Sequence, residues 1–117
     1  MNIPRPDENS KEFFRSISPD DPRITIRPMF GNISAFVNGN MFAGLFGNDL
    51  FVRVSEESRK ELLDKTGASL LEPMKGKPMK EYVLIPKAWR NQHNTVRSWV
   101  ARSLDWTSKL PPRKTKK

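Results

Sequence analysis

His93 is the chain's one histidine, and it stands between Gln92 and Asn94 with no cysteine anywhere in 117 residues. A metal centre needs several convergent ligands and a nucleophile needs a base beside it, so this histidine reads as an exposed connector residue. Asp20 and Asp21 are adjacent acids, but they lie in a Ser18-Pro-Asp-Asp-Pro22 run, where carboxylates ordinarily serve turn chemistry. Gly44-Leu-Phe-Gly47 lacks the spacing and the helix entry of a phosphate-cradling glycine loop and reads as a strand end. No catalytic, cofactor-binding or metal-ligating residues can be named, and an enzyme is the least favoured class.

The basic residues are more informative. Lys75, Lys77 and Lys80 surround Gly76 in what reads as a solvated loop, able to present cations to phosphate or to an acidic protein surface. Trp89, Trp99 and Trp106 have Arg90, Arg97 and Arg102 nearby, a mixture that can stack on bases and contact phosphates. Packing is the plainer expectation for Trp99, while Trp106, near a helix end, is the tryptophan a partner could use. The net charge is +8, and Lys109, Arg113, Lys114, Lys116 and Lys117 supply +5 of it, leaving +3 for residues 1–108. Pro111 to Lys117 holds two prolines and no apolar side chain to bury, so residues 109–117 are expected to form a basic, disordered tail after one domain over 1–108.

These residues must be positioned by a small set of elements. A first helix is expected from Asp7 to Ile17, with Asp7 or Asn9 as cap and Phe13, Phe14 and Ile17 on the buried face. From Ile24 to Val54 the apolar period becomes two. Ile24 and Ile26, then Ile33, Ala35 and Val37, then Met41, Ala43 and Leu45, and finally Leu50 to Val54 mark a four-strand antiparallel meander. Asn38-Gly39 between the second and third runs is a type I′ hairpin signal, because that turn needs positive φ at both central residues. Ser55 caps a second helix that Gly67 ends as a left-handed residue. A short strand over Ser69 to Glu72, a firmer one over Glu81 to Ile85 and a third helix from Thr95 to Lys109 complete the chain. The fold class is α+β, a two-layer antiparallel sheet with helices packed on it. Phe36, Phe42, Phe46 and Phe51 exceed what one core takes up, which points to a second copy of the chain as a partner.

The absent cysteines, the lack of an apolar leader and the lack of any long apolar run point to a cytoplasmic protein with no membrane span.

One ordered set of landmarks is distinctive. Arg27-Pro-Met29-Phe30-Gly31 leads into Phe36-Val-Asn38-Gly39-Asn-Met-Phe42, then Leu50-Phe-Val-Arg-Val54, Gly76-Lys-Pro-Met79, Tyr82-Val-Leu-Ile-Pro86 and Trp89. Over residues 7–106 the chain resembles the N-terminal domain of the TfoX/Sxy family of bacterial competence regulators. The resemblance implies a secretion-chaperone-like two-layer fold and a non-enzymatic interaction module linked to competence or transcriptional regulation. The leading expectation is an unidentified protein partner, and the alternative is weak nucleic-acid binding through the basic tail and the Lys75, Lys77 and Lys80 loop. Asn32 stands where the family usually has a second glycine, and Pro28 where it often has arginine. Phe30 is expected to anchor the first strand in the core, Gly31 or Asn32 to take positive φ, and Pro28 to mark an edge or bulge.

Overall fold

A computed structural model describes residues 5–29, 32–74 and 76–112. Helix α1 (Glu8–Ile17) starts where Asp7 accepts the Ser10 N–H at 2.7 Å and buries Phe14 and Ile17. Phe13 packs partly against the same core. Strands β1 (Thr25–Met29), β2 (Asn32–Val37), β3 (Asn40–Phe46) and β4 (Asp49–Arg53) form the expected meander. Asn38 and Gly39 turn the β2–β3 hairpin at φ 53° and 77°, as a type I′ turn requires. Helix α2 (Glu56–Leu63) is capped by Ser55 and places Glu56 and Glu57 in its first turn, where the helix dipole favours acids. Helix α3 (His93–Ser108) follows a short 3₁₀ turn, Lys87–Asn91.

Several expectations need correction. The lysine segment is not a loop: β5 (Ser69–Met74) and β6 (Lys77–Leu84) are a hairpin, and Gly76 turns it at φ +81°. All six strands form one antiparallel sheet in the order β1-β2-β3-β4-β6-β5. Helix α2 ends at Leu63, and Gly67, at φ +92°, belongs to the following turn toward β5 rather than to the helix end. Helix α3 starts two residues earlier than the sequence indicates, because Gln92 precedes it without a side-chain cap for the sequence to advertise. His93 is thus its first residue, exposed and edge-on to Phe13 at 5.5 Å. Asn32 does not take positive φ: it opens β2, buried, and accepts the Gly47 N–H at 2.9 Å. Phe30 and Gly31 lie outside the described residues. Pro28 does sit on an edge strand, the place in a sheet that tolerates a missing N–H.

The helices cover one face of the sheet. Val52 faces Ala43 and Val83 across its two neighbours, and Ala43 faces Ala35, so this row shares a face with the buried side chains of all three helices, Phe14, Leu62 and Trp99 among them. Ser103 of α3 joins the layers. Its hydroxyl lies 2.5 Å from the carbonyl oxygens of Phe42 and Arg53 and accepts the Arg53 N–H at 3.1 Å. Replacing it strands backbone groups in a place water does not reach. Ser103→Ala is therefore expected to cost about 1–3 kcal/mol, read from the urea midpoint, whereas Ser108→Ala at the exposed helix end should leave that midpoint nearly unchanged.

Candidate functional site

The helix-free face is the surface left for recognition. One row across it runs Ser34, Gly44, Phe51, Leu84 and Ser69 on adjacent strands. Phe51, Leu71 and Tyr82 form a second buried cluster made only of strand residues, with Met41, Phe46 and Leu84 packed partly against it. The face is paved by side chains laid flat. Tyr82 meets Phe51 edge-on at 5.6 Å and donates its hydroxyl to the Met41 carbonyl at 3.1 Å, reaching over β4 to do so. Arg53 extends over the Tyr82 ring at 5.7 Å and pairs with Glu81 at 3.1 Å. Around this paving Phe36, Met41, Phe46 and Leu84 remain half-exposed, and the Arg27 guanidinium lies 5.7 Å from the Phe36 ring centre. Toward the β3–β4 turn, Phe46, Leu70 and Leu84 line a shallow groove that also holds Asp49 and Glu72. The four phenylalanines of the sequence argument thus divide: Phe42 and Phe51 are buried in separate clusters, and Phe36 and Phe46 are not consumed by either core.

The arginines beside the tryptophans have a different fate from the phosphate contacts they suggest. Arg90 lies over Phe13 at 4.8 Å and donates to Ser10 Oγ (3.1 Å) and the Asn48 carbonyl (2.8 Å). Arg97 donates to the Ser16 carbonyl at 3.0 Å. Arg102 stacks on Trp99 at 4.0 Å and bonds Glu61 (3.1 Å) and Ser58 (2.8 Å). These three tie the 3₁₀ turn and α3 to α1, the β3–β4 turn and α2. Hydrogen bonding to Arg102 holds the Glu61 carboxyl below the usual carboxylate range, and Arg23 does the same for Asp21, down to about 2. Asp21 thus serves a local turn, as Asp20-Asp21 implied.

Of the other sequence candidates, Trp106 is half-buried, with its indole N–H shielded and without a hydrogen-bond acceptor among the described residues. Lys80 is exposed, and Lys109 is exposed with its ammonium 3.1 Å from Asp105. Arg27, Asn38 and Gly39 are exposed on β1 and the β2–β3 turn, and Met29 and Lys77 take their places in β1 and β6. Lys75, Arg113, Lys114, Lys116 and Lys117 fall outside the described residues. Among the described residues no group of His, Cys, Asp and Glu could hold a metal ion, and no helix is long and apolar enough to cross a membrane.

The model of the TfoX N-terminal domain matches residues 17–106. The chain belongs to the TfoX N-terminal domain family. The matched region begins at the last residue of α1 and contains the whole six-stranded sheet, α2 and nearly all of α3. Among curated proteins, no sequence matches the chain. The TfoX N-terminal domain is not a known enzyme family, and membership connects the chain with competence regulation. In this TfoX N-terminal domain α1 lies mostly upstream of the matched region, yet it supplies Phe14 and Ile17 to the main core.

Proposed function

We propose that this TfoX N-terminal domain is a non-enzymatic protein-interaction module of the cytoplasm, serving competence or transcriptional regulation, and that its partner docks on the helix-free face of the sheet. The half-exposed stripe of Phe36, Met41, Phe46 and Leu84, with Arg27 beside Phe36, carries this reading. Aromatic and arginine side chains around a dry centre are the composition of protein interfaces, where such anchors contribute most of the affinity. A second copy of the chain is one partner this face would accept.

The test places a photo-crosslinking phenylalanine analogue at position 46 and, as a control, at position 59 on α2, in the full chain within cells. The expected result is a discrete adduct from position 46 alone, at doubled mass if the partner is a second copy, and its loss when Phe36→Asp is added. Equal labelling from both positions, or none from position 46, would overturn the assignment. Light scattering at tens of micromolar reports the second copy independently.

A further inference from the structure

The helix-free face carries opposite charges at its two edges. Arg27 on edge strand β1 pairs in register with Ser34, so it joins the row of Gly44, Phe51, Leu84 and Ser69 that ends on the other edge strand, β5. Arg27 is exposed, rests beside the Phe36 ring and makes no ion pair among the described residues. At the far end of the row is the shallow groove, where Ser69 and Leu84 stand with Glu72 and Asp49. Glu72 is exposed and has no ion-pair partner among the described residues. Asp49 meets Lys87 at 3.7 Å, a loose contact because the lysine side chain is 84% exposed. Between the edges, Arg53 and Glu81 neutralise one another.

The midline of the sheet runs between β3 and β4. At about 4.8 Å between strands, β1 and β5 stand roughly 12 Å to either side of it. A two-fold axis along this midline, parallel to the strands, turns a second copy face to face with the first and sets β1 over β5, β2 over β6 and β3 over β4. Because Arg27 and Ser69 share a row, the rotation carries Arg27 of each copy onto the groove of the other. It also brings Phe36 on β2 toward Leu84 on β6, both half-exposed. An axis across the strands would instead set β1 over β1 and Arg27 against Arg27, which like charges resist. The midline itself is smooth, since Gly44 has no side chain and the Phe51 ring lies across it. A second sheet can therefore settle at the roughly 10 Å separation of stacked sheets, with its strands within about 30° of the first.

We propose that the helix-free face is occupied by a second copy of this chain, packed sheet on sheet about a two-fold axis parallel to the strands, with Arg27 of each copy in the groove of Glu72 and Asp49 of the other. The inference rests on the reading of this face as a docking surface and adds which partner docks and in what orientation. An isologous interface requires a surface that complements itself, and a cation and acids at matching distances on opposite sides of one axis meet that requirement. A partner of different sequence would impose no such symmetry.

Sedimentation equilibrium of the full chain, from low micromolar to hundreds of micromolar, reads the association. The expected result is a monomer–dimer equilibrium that weakens as salt is raised. Each charge reversal acts twice in a two-fold interface, so Arg27→Glu and Glu72→Arg should each weaken the dimer about tenfold or more. An equimolar mixture of the two variants should regain it, because one chain then carries acids at both positions, the other carries bases, and every edge contact is again between opposite charges. Such rescue also excludes misfolding as the cause of the loss. Arg15→Glu, exposed on α1, should change nothing. A parent that stays monomeric throughout, or a mixture that associates no better than its components, would overturn the proposal. With a monomeric parent, a position-46 adduct of any mass other than double leaves the docking face standing with another partner, and the absence of an adduct removes both readings.

Discussion

Phe42→Ala should lower the stability of this domain by about 3–5 kcal/mol, as truncation of a buried phenylalanine does where the surroundings cannot collapse into the space. Phe42 has no solvent exposure, and it occupies the point where the β2–β3 ladder slips. Ala35 pairs with Ala43 and Phe36 with Met41, so Phe42 is the extra residue of a bulge, turned into the main core beneath α3. Its carbonyl is also the oxygen that Ser103 holds. A small domain is stable by only about 5–15 kcal/mol, so this loss should shift the thermal midpoint by roughly 15–30 °C. Phe42→Leu keeps most of the volume and should cost under about 1.5 kcal/mol. A midpoint for Phe42→Ala within a few degrees of the parent would mean that the bulge does not turn this ring inward.

Gly44→Ala should destabilise by about 1–3 kcal/mol, the cost of forcing atoms into a filled site, although the same change in a strand with room would be neutral or better. A Cβ built on Gly44 stands 2.7 Å from Phe51 Cζ, 2.7 Å from Ser34 Oγ and 3.0 Å from the Ile33 carbonyl oxygen. The obstruction is the paving of the helix-free face, since the Phe51 ring lies across the glycine on the neighbouring strand. Gly76 offers the contrast: nothing among the described residues beyond its chain neighbours lies within 4 Å of its missing Cβ, and its requirement for glycine comes from φ +81°. Because one of the two shortest contacts is a ring atom, Phe51→Leu should relieve part of the Gly44 penalty. A double-mutant cycle is expected to show Gly44→Ala and Phe51→Leu together costing less than their sum by about 0.5 kcal/mol or more. Strict additivity would place the strain at Ser34 and the Ile33 backbone instead.

The sequence by itself determined the features that depend on a few neighbouring residues. Asp7 and Ser55 each cap a helix by accepting an amide three residues on, and Asn38-Gly39 adopts positive φ, because these are local geometric requirements with local solutions. The period-two runs gave the four meander strands for the same reason. The ordered landmarks from Arg27 to Trp89 pointed to the family that the match over 17–106 establishes. Tertiary structure decided what depends on pairing between distant residues. Strict alternation puts Met41 with Ala43 and Leu45, but the bulge turns Met41 to the helix-free face beside Phe36 and Phe42 to the core, and no local pattern encodes a register slip. Arg90, Arg97 and Arg102 carry the composition of a nucleic-acid surface, yet they find Phe13, Ser16, Trp99 and Glu61 within the chain, 41 to 81 residues away except at Trp99. The lysines around Gly76 read as a loop because they flank a flexible glycine, and pairing with β5 makes residues 77–80 part of a strand.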